Sequence, residues 1–180
     1  EIWNEPFAEK AVGLWQKRSE LFVGFSKVFR ETVKRLDLGI ACDICFNQKQ
    51  TNKKETIRAL ERTLETECAL GFTTYGPHRD DFLFEWEGRA IRKHGSQGEH
   101  KMYLALLKTT ELLFISKKTN KSPVFLIDDI FANLDIERSK RLLRFVEELR
   151  LREKSRPQTI ITATDILEIQ KEGFFSNYNE

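Results

Sequence analysis

Four apolar residues running into two carboxylates, Val124-Phe125-Leu126-Ile127-Asp128-Asp129, are the stretch of this chain best suited to chemistry. An apolar strand ending in acidic groups sets them at the C-terminal edge of a sheet, where open α/β folds bind ligands. In a nucleotide site Asp128 would hold Mg²⁺, usually through water, and Asp129 would orient or deprotonate the attacking water. A strand that ends in a solvated acidic turn has the same pattern and no chemistry. Six residues further on, Asp135 is a good N-cap for a following helix. Upstream, Gly95-Ser96-Gln97-Gly98-Glu99 opens directly into a helical stretch. Small residues let the backbone approach an anion, and the exposed N–H groups and positive dipole of a helix start favour phosphate. Ser96 adds a hydroxyl donor. An ordinary Gly/Ser loop with a helix cap would read the same way.

These groups depend on the elements that carry them. Met102, Leu106 and Leu113 give the segment Glu99 to Lys118 a helical pattern, and Lys117, Lys118 and Lys121 lie in a polar loop ending at Pro123. Val124 to Ile127 is a continuous apolar run, as expected of a strand buried on both faces. A helix is predicted from Ile136 to about Leu151 with Leu142, Leu143, Val146 and Leu149 inward, then a second buried strand from Thr159 to Thr162. Strand–helix–strand alternation implies an α/β layer with parallel strands. Earlier, Phe7, Ala11, Leu14, Leu21, Phe25, Val28 and Leu36 recur at helical spacing, with Pro6 in a first turn and Gly39 where a cap belongs. Ile40 to Phe46 alternates as a strand, and Asn52 with Glu55 forms a capping box before Ile57, Leu60, Leu64 and Cys68. Gly71 closes that helix. Phe72 to Tyr75 is a short strand candidate, and Phe82, Phe84 and Trp86 alternate as another before the hairpin signal Glu87-Gly88.

The chain has 180 residues, 40% of them apolar and 32% charged, enough for one domain or two small ones with a solvated surface. Thirty basic and 28 acidic side chains leave a net charge of +2, so any nucleic-acid surface must come from how charges are arranged. Three cysteines argue against a disulfide scaffold and for a reducing compartment. No signal peptide and no long charge-free apolar run is evident, which points to a cytoplasmic protein with no membrane partner. Because the first residue is Glu1, the chain is expected to be an excised fragment.

Order and spacing bring the motifs together. Twenty-nine positions separate Glu99 from Asp128, room for one helix and a loop. The acidic pair, Leu134-Asp135, a helix and a strand ending in Thr162-Ala163-Thr164-Asp165 follow. This series resembles the C-terminal lobe of ABC-type ATPases: signature, Walker B, D-loop and switch. The Gly-Pro-His-Arg-Asp-Asp segment at Gly76 to Asp81, the Gly-Ser-Gln-Gly signature and the Asp-Asp pair are similar to those of the RecF family. The likeness is specific from about Tyr75 to Asp165 and only positional before that. It implies an α/β fold, the C-terminal lobe of an ABC-type ATPase head (a parallel sheet with flanking helices), plus a small α+β arm subdomain. Residues 1–72 would be the returning part of the arm, helix–strand–helix, and 73–180 the ATPase lobe.

The same resemblance implies an ATP-dependent DNA-binding dimer acting in repair at gaps and single-strand/double-strand junctions, with RecO- and RecR-type partners. ATP would be sandwiched between two copies, with Mg²⁺. Ser96, Gln97, Gly98, Glu99, Asp135 and Thr164 would contact nucleotide, Asp128 the metal, and Asp129 would be catalytic. Asp129 stands where many ABC ATPases have Glu, Thr164 where transporters have His, and Glu99 where the signature commonly has Gln. No Gly-x-x-x-x-Gly-Lys-Ser/Thr loop occurs in these residues, so the chain alone is expected to show no ATP turnover.

Other features carry less. Cys42-x-x-Cys45 lacks a second pair, and on a strand its thiols face opposite ways, which favours a structural role. Arg79 suits an anion better than His78 does, since its fork matches phosphate. His94 and His100 flank the signature without a named partner. Arg138, Lys140, Arg141 and Arg144 put positive charge on one helix that could track DNA or simply be solvated. Two rivals stay open: another SMC-like head such as a RecN or Rad50 relative, which calls for a longer coiled coil, and a dimerisation module that never meets nucleotide.

Overall fold

The computed structural model describes residues 2–37, 39–47, 51–128, 136–149 and 158–162. Helix α1 (Asn4–Leu36) runs unbroken through Gly13 and Gly24, 33 residues or about 50 Å at 1.5 Å per residue. Its stop is not Gly39 as the sequence suggests. Asp37 takes the left-handed position at φ 45°, a conformation that short polar side chains tolerate. Strand β1 (Cys42–Phe46) and helix α2 (Lys53–Leu70) follow. Asn52 and Glu55 form the expected capping box on α2, and Gly71, at φ 74°, closes it by donating to the Glu67 carbonyl at 2.8 Å.

Phe72 to Tyr75 is not a strand. The N–H groups of Thr74 and Tyr75 go to the Glu67 carboxylate, at 2.6 and 3.3 Å, instead of to a neighbouring strand. A short 3₁₀ turn (Pro77–Arg79) then leads into β2 (Phe82–Trp86), β3 (Arg89–Ala90) and a single helical turn, α3 (Ile91–His94). The β2–β3 hairpin turns at Glu87-Gly88, both with positive φ, as such two-residue turns need. Helix α4 (Gln97–Thr119), strand β4 (Phe125–Asp128), helix α5 (Ile136–Glu148) and strand β5 (Thr159–Thr162) complete the order.

Two sheets result, β1-β2-β3 antiparallel and β4-β5 parallel. Cys42, Ile44 and Phe46 pair with Trp86, Phe84 and Phe82, so the predicted division at residues 72/73 falls between two strands of one sheet. Helix α1 packs against α2, α4, β1 and α5. The core holds Phe29, Trp86, Met102, Tyr103, Leu106, Phe125, Ile127, Leu142 and Leu149, and it joins the two sheets through α1 and α4. Leu142, Leu143, Val146 and Leu149 are buried, as their spacing predicts. The strands β4 and β5 are not buried on both faces. Phe125 and Ile127 face the core, while Leu126 is 66% and Ile160 49% exposed. A pair of strands covered by helices on one side leaves alternate residues outside, whatever their hydrophobicity.

Candidate functional site

The signature segment is built around a helix start. Gly95 follows α3, and a Cβ there would lie 2.7 Å from the Ile91 carbonyl oxygen, so the chain closes to this degree only with glycine. Ser96 is the N-cap of α4. Its hydroxyl oxygen accepts from the Glu99 N–H at 3.2 Å, and the Glu99 carboxylate accepts from the Ser96 N–H at 2.7 Å. This reciprocal capping box satisfies two of the donors that a helix start leaves without intrahelical partners. The backbone N–H groups of Gln97 and Gly98 belong to the first turn, which a helix leaves without intrahelical acceptors, and the Ser96 hydroxyl, accepting from Glu99, keeps its own hydrogen to donate. His100 donates from Nδ1 to the Ser96 carbonyl at 2.8 Å, which gives this flanking histidine a partner the sequence did not name. The Glu99 carboxylate therefore points back at the cap.

The acidic end is built by the parallel pair. Asp128 closes β4, exposed, at the C-terminal edge, opposite Thr162 on β5. The Thr162 hydroxyl donates to Asp128 Oδ1. Asp129, Asp135 and Thr164 lie outside the described residues. Along the chain, the 23 residues of α4 stand between Ser96 and the loop that leads to β4 and Asp128. Among the described residues no group of three or more His, Cys, Asp or Glu side chains is placed to hold a metal. A Mg²⁺ ion does not need one, since it is usually held by one or two carboxylates, water and substrate phosphate.

The Gly76 to Asp81 segment is fastened on all sides. Gly76 has φ 146°, and a Cβ there would sit 2.7 Å from the Phe7 ring. Asp80 accepts from the Trp15 indole N–H at 2.9 and 3.0 Å and from Arg18 at 2.5 Å, while Arg18 also donates to the Pro77 carbonyl at 2.6 Å. Asp81 pairs with Arg92 of α3 at 3.3 Å. The two adjacent aspartates thus tie one segment to α1 and to the turn before the signature. Arg79 donates twice to the Thr73 carbonyl, at 3.2 and 3.1 Å, and lies 4.8 Å over the Phe72 ring. His78 Nε2 donates to that carbonyl at 3.0 Å. Glu67 gathers the preceding loop, taking the Thr74 hydroxyl at 3.0 Å and the Thr63 hydroxyl at 3.1 Å besides the two N–H groups. Burial alone would raise its pKa. The hydrogen bonds from Thr74, Thr63 and Tyr75 outweigh that and hold it below the usual carboxylate value.

On α5, Arg141 donates to the Asp37 carbonyl at 3.0 Å and so serves the C-terminus of α1. Arg138 lies on the same helix, and Lys140 and Arg144 are held in contacts of their own. Cys42 and Cys45 do face opposite ways across β1. Burial and then the nearby Glu87 charge push the buried Cys42 thiol up to about 12, so it stays protonated. Burial, with Glu85 and Asp43, raises Cys45 as well.

No protein-family model matches the chain. It is 32% identical to the DNA replication and repair protein RecF of Chlorobium luteolum across 92% of the chain and 46% of that relative. The RecF of Geobacter sulfurreducens is 30% identical across 96% of the chain and 48% of the relative. The chain spans about half the length of the curated relatives it matches. A solved structure of the recombination mediator protein RecF with ATP, in the RecFOR pathway, superposes with TM-score 0.70 at 22% identity, covering 91% of this chain and 44% of that one. Among the described residues no helix is long and apolar enough to cross a membrane.

Proposed function

The chain belongs to the RecF family, and from that premise we propose that it supplies half of each ATP site in a DNA-repair ATPase that works as a dimer. On this proposal residues 73–180 supply the ATPase lobe and 1–72 the returning part of its arm, with the β1–β2 pairing joining the two parts in one sheet. What supports the proposal is that one chain carries an anion-ready helix start at Ser96 and an exposed strand-end carboxylate at Asp128 but no phosphate-cradling lysine loop. A second copy, turned about a two-fold axis, brings the signature of one subunit to the nucleotide held by the other.

In that arrangement the Ser96 hydroxyl and the N–H groups of Gln97 and Gly98 grip the γ-phosphate of the partner's ATP, with positive helix-end charge behind them. Glu99 braces the cap. Asp128 helps hold Mg²⁺, and its fit rests on an exposed carboxylate with one oxygen already fixed by Thr162. The ion, when bound, neutralises phosphate charge. Asp129 orients the attacking water, Asp135 reaches across the dimer, and Thr164 senses the phosphate. A threonine hydroxyl does not titrate near neutral pH, so Thr164 contributes no proton. The dimer binds gapped DNA and single-strand/double-strand junctions in the cytoplasm, with RecO- and RecR-type partners. Arg79, Arg138 and Arg141 are the cationic candidates for DNA, with Arg79 and Arg141 also committed to backbone carbonyls.

The test uses the full-length protein carrying Ser96→Arg, with mass measured by sedimentation at rising ATP. Nucleotide binding by the monomer should persist and ATP-driven dimerisation should disappear. Dimerisation equal to that of the parent would refute the shared-site proposal.

A further inference from the structure

Asp128 is the last residue of β4 and is exposed, so nothing about its own strand fixes the direction of its carboxylate. An exposed aspartate samples several rotamers, and a group that must meet a cation gains when one of them is selected beforehand. The selection comes from the neighbouring strand. The parallel register pairs Phe125 with Thr159, Leu126 with Ile160, Ile127 with Ile161 and Asp128 with Thr162. Directly paired residues project on the same face, which puts Thr162 beside Asp128 at the open edge of the sheet. The Thr162 hydroxyl donates to Asp128 Oδ1. Threonine suits this task because its branched Cβ leaves few χ1 choices, so a sheet-fixed backbone also fixes the hydroxyl. Among the described residues Oδ2 of Asp128 accepts no hydrogen bond, and it is the oxygen left to turn outward.

We infer that Thr162 is a positioning residue: its hydroxyl holds one carboxylate oxygen of Asp128 so that the other is presented to the divalent cation that accompanies the nucleotide. This rests on the assignment of Asp128 to the cation made above. Thr162 does not touch the cation or the nucleotide. Its effect passes through Asp128 and consists of orientation.

The experiment compares Thr162→Val, Thr162→Ser and Asp128→Ala in the full-length protein. Valine keeps the β-branched shape and strand preference and removes only the hydroxyl. Serine restores the hydroxyl. Binding of a fluorescent ATP analogue is titrated with Mg²⁺, and Mn²⁺ binding in the presence of ATP is followed by electron paramagnetic resonance. Losing such a supporting partner typically weakens metal affinity about 10–100-fold, and for an exposed pair the lower end applies. T162V should therefore raise the half-saturating cation concentration about tenfold. Nucleotide affinity without divalent metal should be unchanged, and T162S should bring the cation requirement back to that of the parent. An unchanged cation requirement in T162V overturns the inference, as does a T162S variant as defective as T162V. Asp128→Ala separates the two levels. If D128A shifts the cation requirement and T162V does not, only the role of Thr162 falls. If D128A shifts nothing, the assignment of Asp128 falls, and Thr162 with it.

Discussion

Replacing Asp80 by alanine should destabilise the protein more than its place in a surface segment suggests. Asp80 takes the Trp15 indole N–H at 2.9 and 3.0 Å and the Arg18 guanidinium at 2.5 Å. Trp15 is 3% exposed, so losing this acceptor strands a donor where water hardly reaches. Such a loss costs about 1–3 kcal/mol. The Arg18 pair adds less, because that side chain is 36% exposed and a half-solvated ion pair contributes roughly 0–1 kcal/mol. Together the two give about 1–4 kcal/mol, or a fall in Tm on the order of 2–16 °C for a chain of this size. Differential scanning calorimetry of Asp80→Ala against the parent measures it. Asp80→Asn keeps an acceptor oxygen for the indole and should lose less than half as much. Arg18→Ala leaves the indole bond in place but gives up both the Asp80 pair and the Pro77 carbonyl, and should cost less than Asp80→Ala. A shift in Asp80→Ala below about 1 °C would refute the buried-donor account. So would an asparagine variant as unstable as the alanine one, since charge would then be what matters.

Three further outcomes follow from the same geometry. Glu67 has a lowered pKa, so its contribution to stability is present above its ordinary value of 4.5 and is lost as pH falls through the depressed folded value. Glu67→Gln should therefore flatten the acid limb of a Tm-versus-pH curve and leave its slope near neutrality alone; an unchanged acid limb would count against the loop-hub role. With Cys42 raised to about 12 and buried, and Cys68 exposed, iodoacetamide at pH 8 should label Cys68 first, and Cys42 only on unfolding, as peptide mass spectrometry would reveal. Finally, the 180-residue chain by itself should release phosphate from ATP no faster than buffer, for want of a phosphate-cradling lysine loop. Hydrolysis by the purified chain that Asp128→Ala abolishes would contradict this.

Local rules placed most elements correctly because the signals lie within a few residues of one another. Asn52 with Glu55 and Ser96 with Glu99 satisfy orphan N–H groups inside one helical turn, and both boxes are present. Glu87-Gly88 turns the chain by its own φ values. What local pattern misses is a hydrogen-bond partner that lies outside the segment being read. Phe72 to Tyr75 has the composition of a strand, yet the Glu67 carboxylate claims its N–H groups. The bond from Arg141 to the Asp37 carbonyl, 104 positions away, is likewise beyond any local pattern. Thr162 went unnoticed because its value depends on the register between β4 and β5, which spacing along one strand does not encode.

The amino-acid order by itself determined the capping boxes of α2 and α4, the hairpin, the apolar strand with its terminal acids and the likeness to the RecF family, because each is written in contiguous residues. Tertiary structure alone decided that Asp80 reaches back to Trp15, that β1 joins β2 across a predicted boundary, and that Thr162 stands against Asp128. Hydrogen-bond partners and strand register are chosen by the packing of whole helices and sheets. That choice is made by free energy summed over the core, and no short window of sequence contains it.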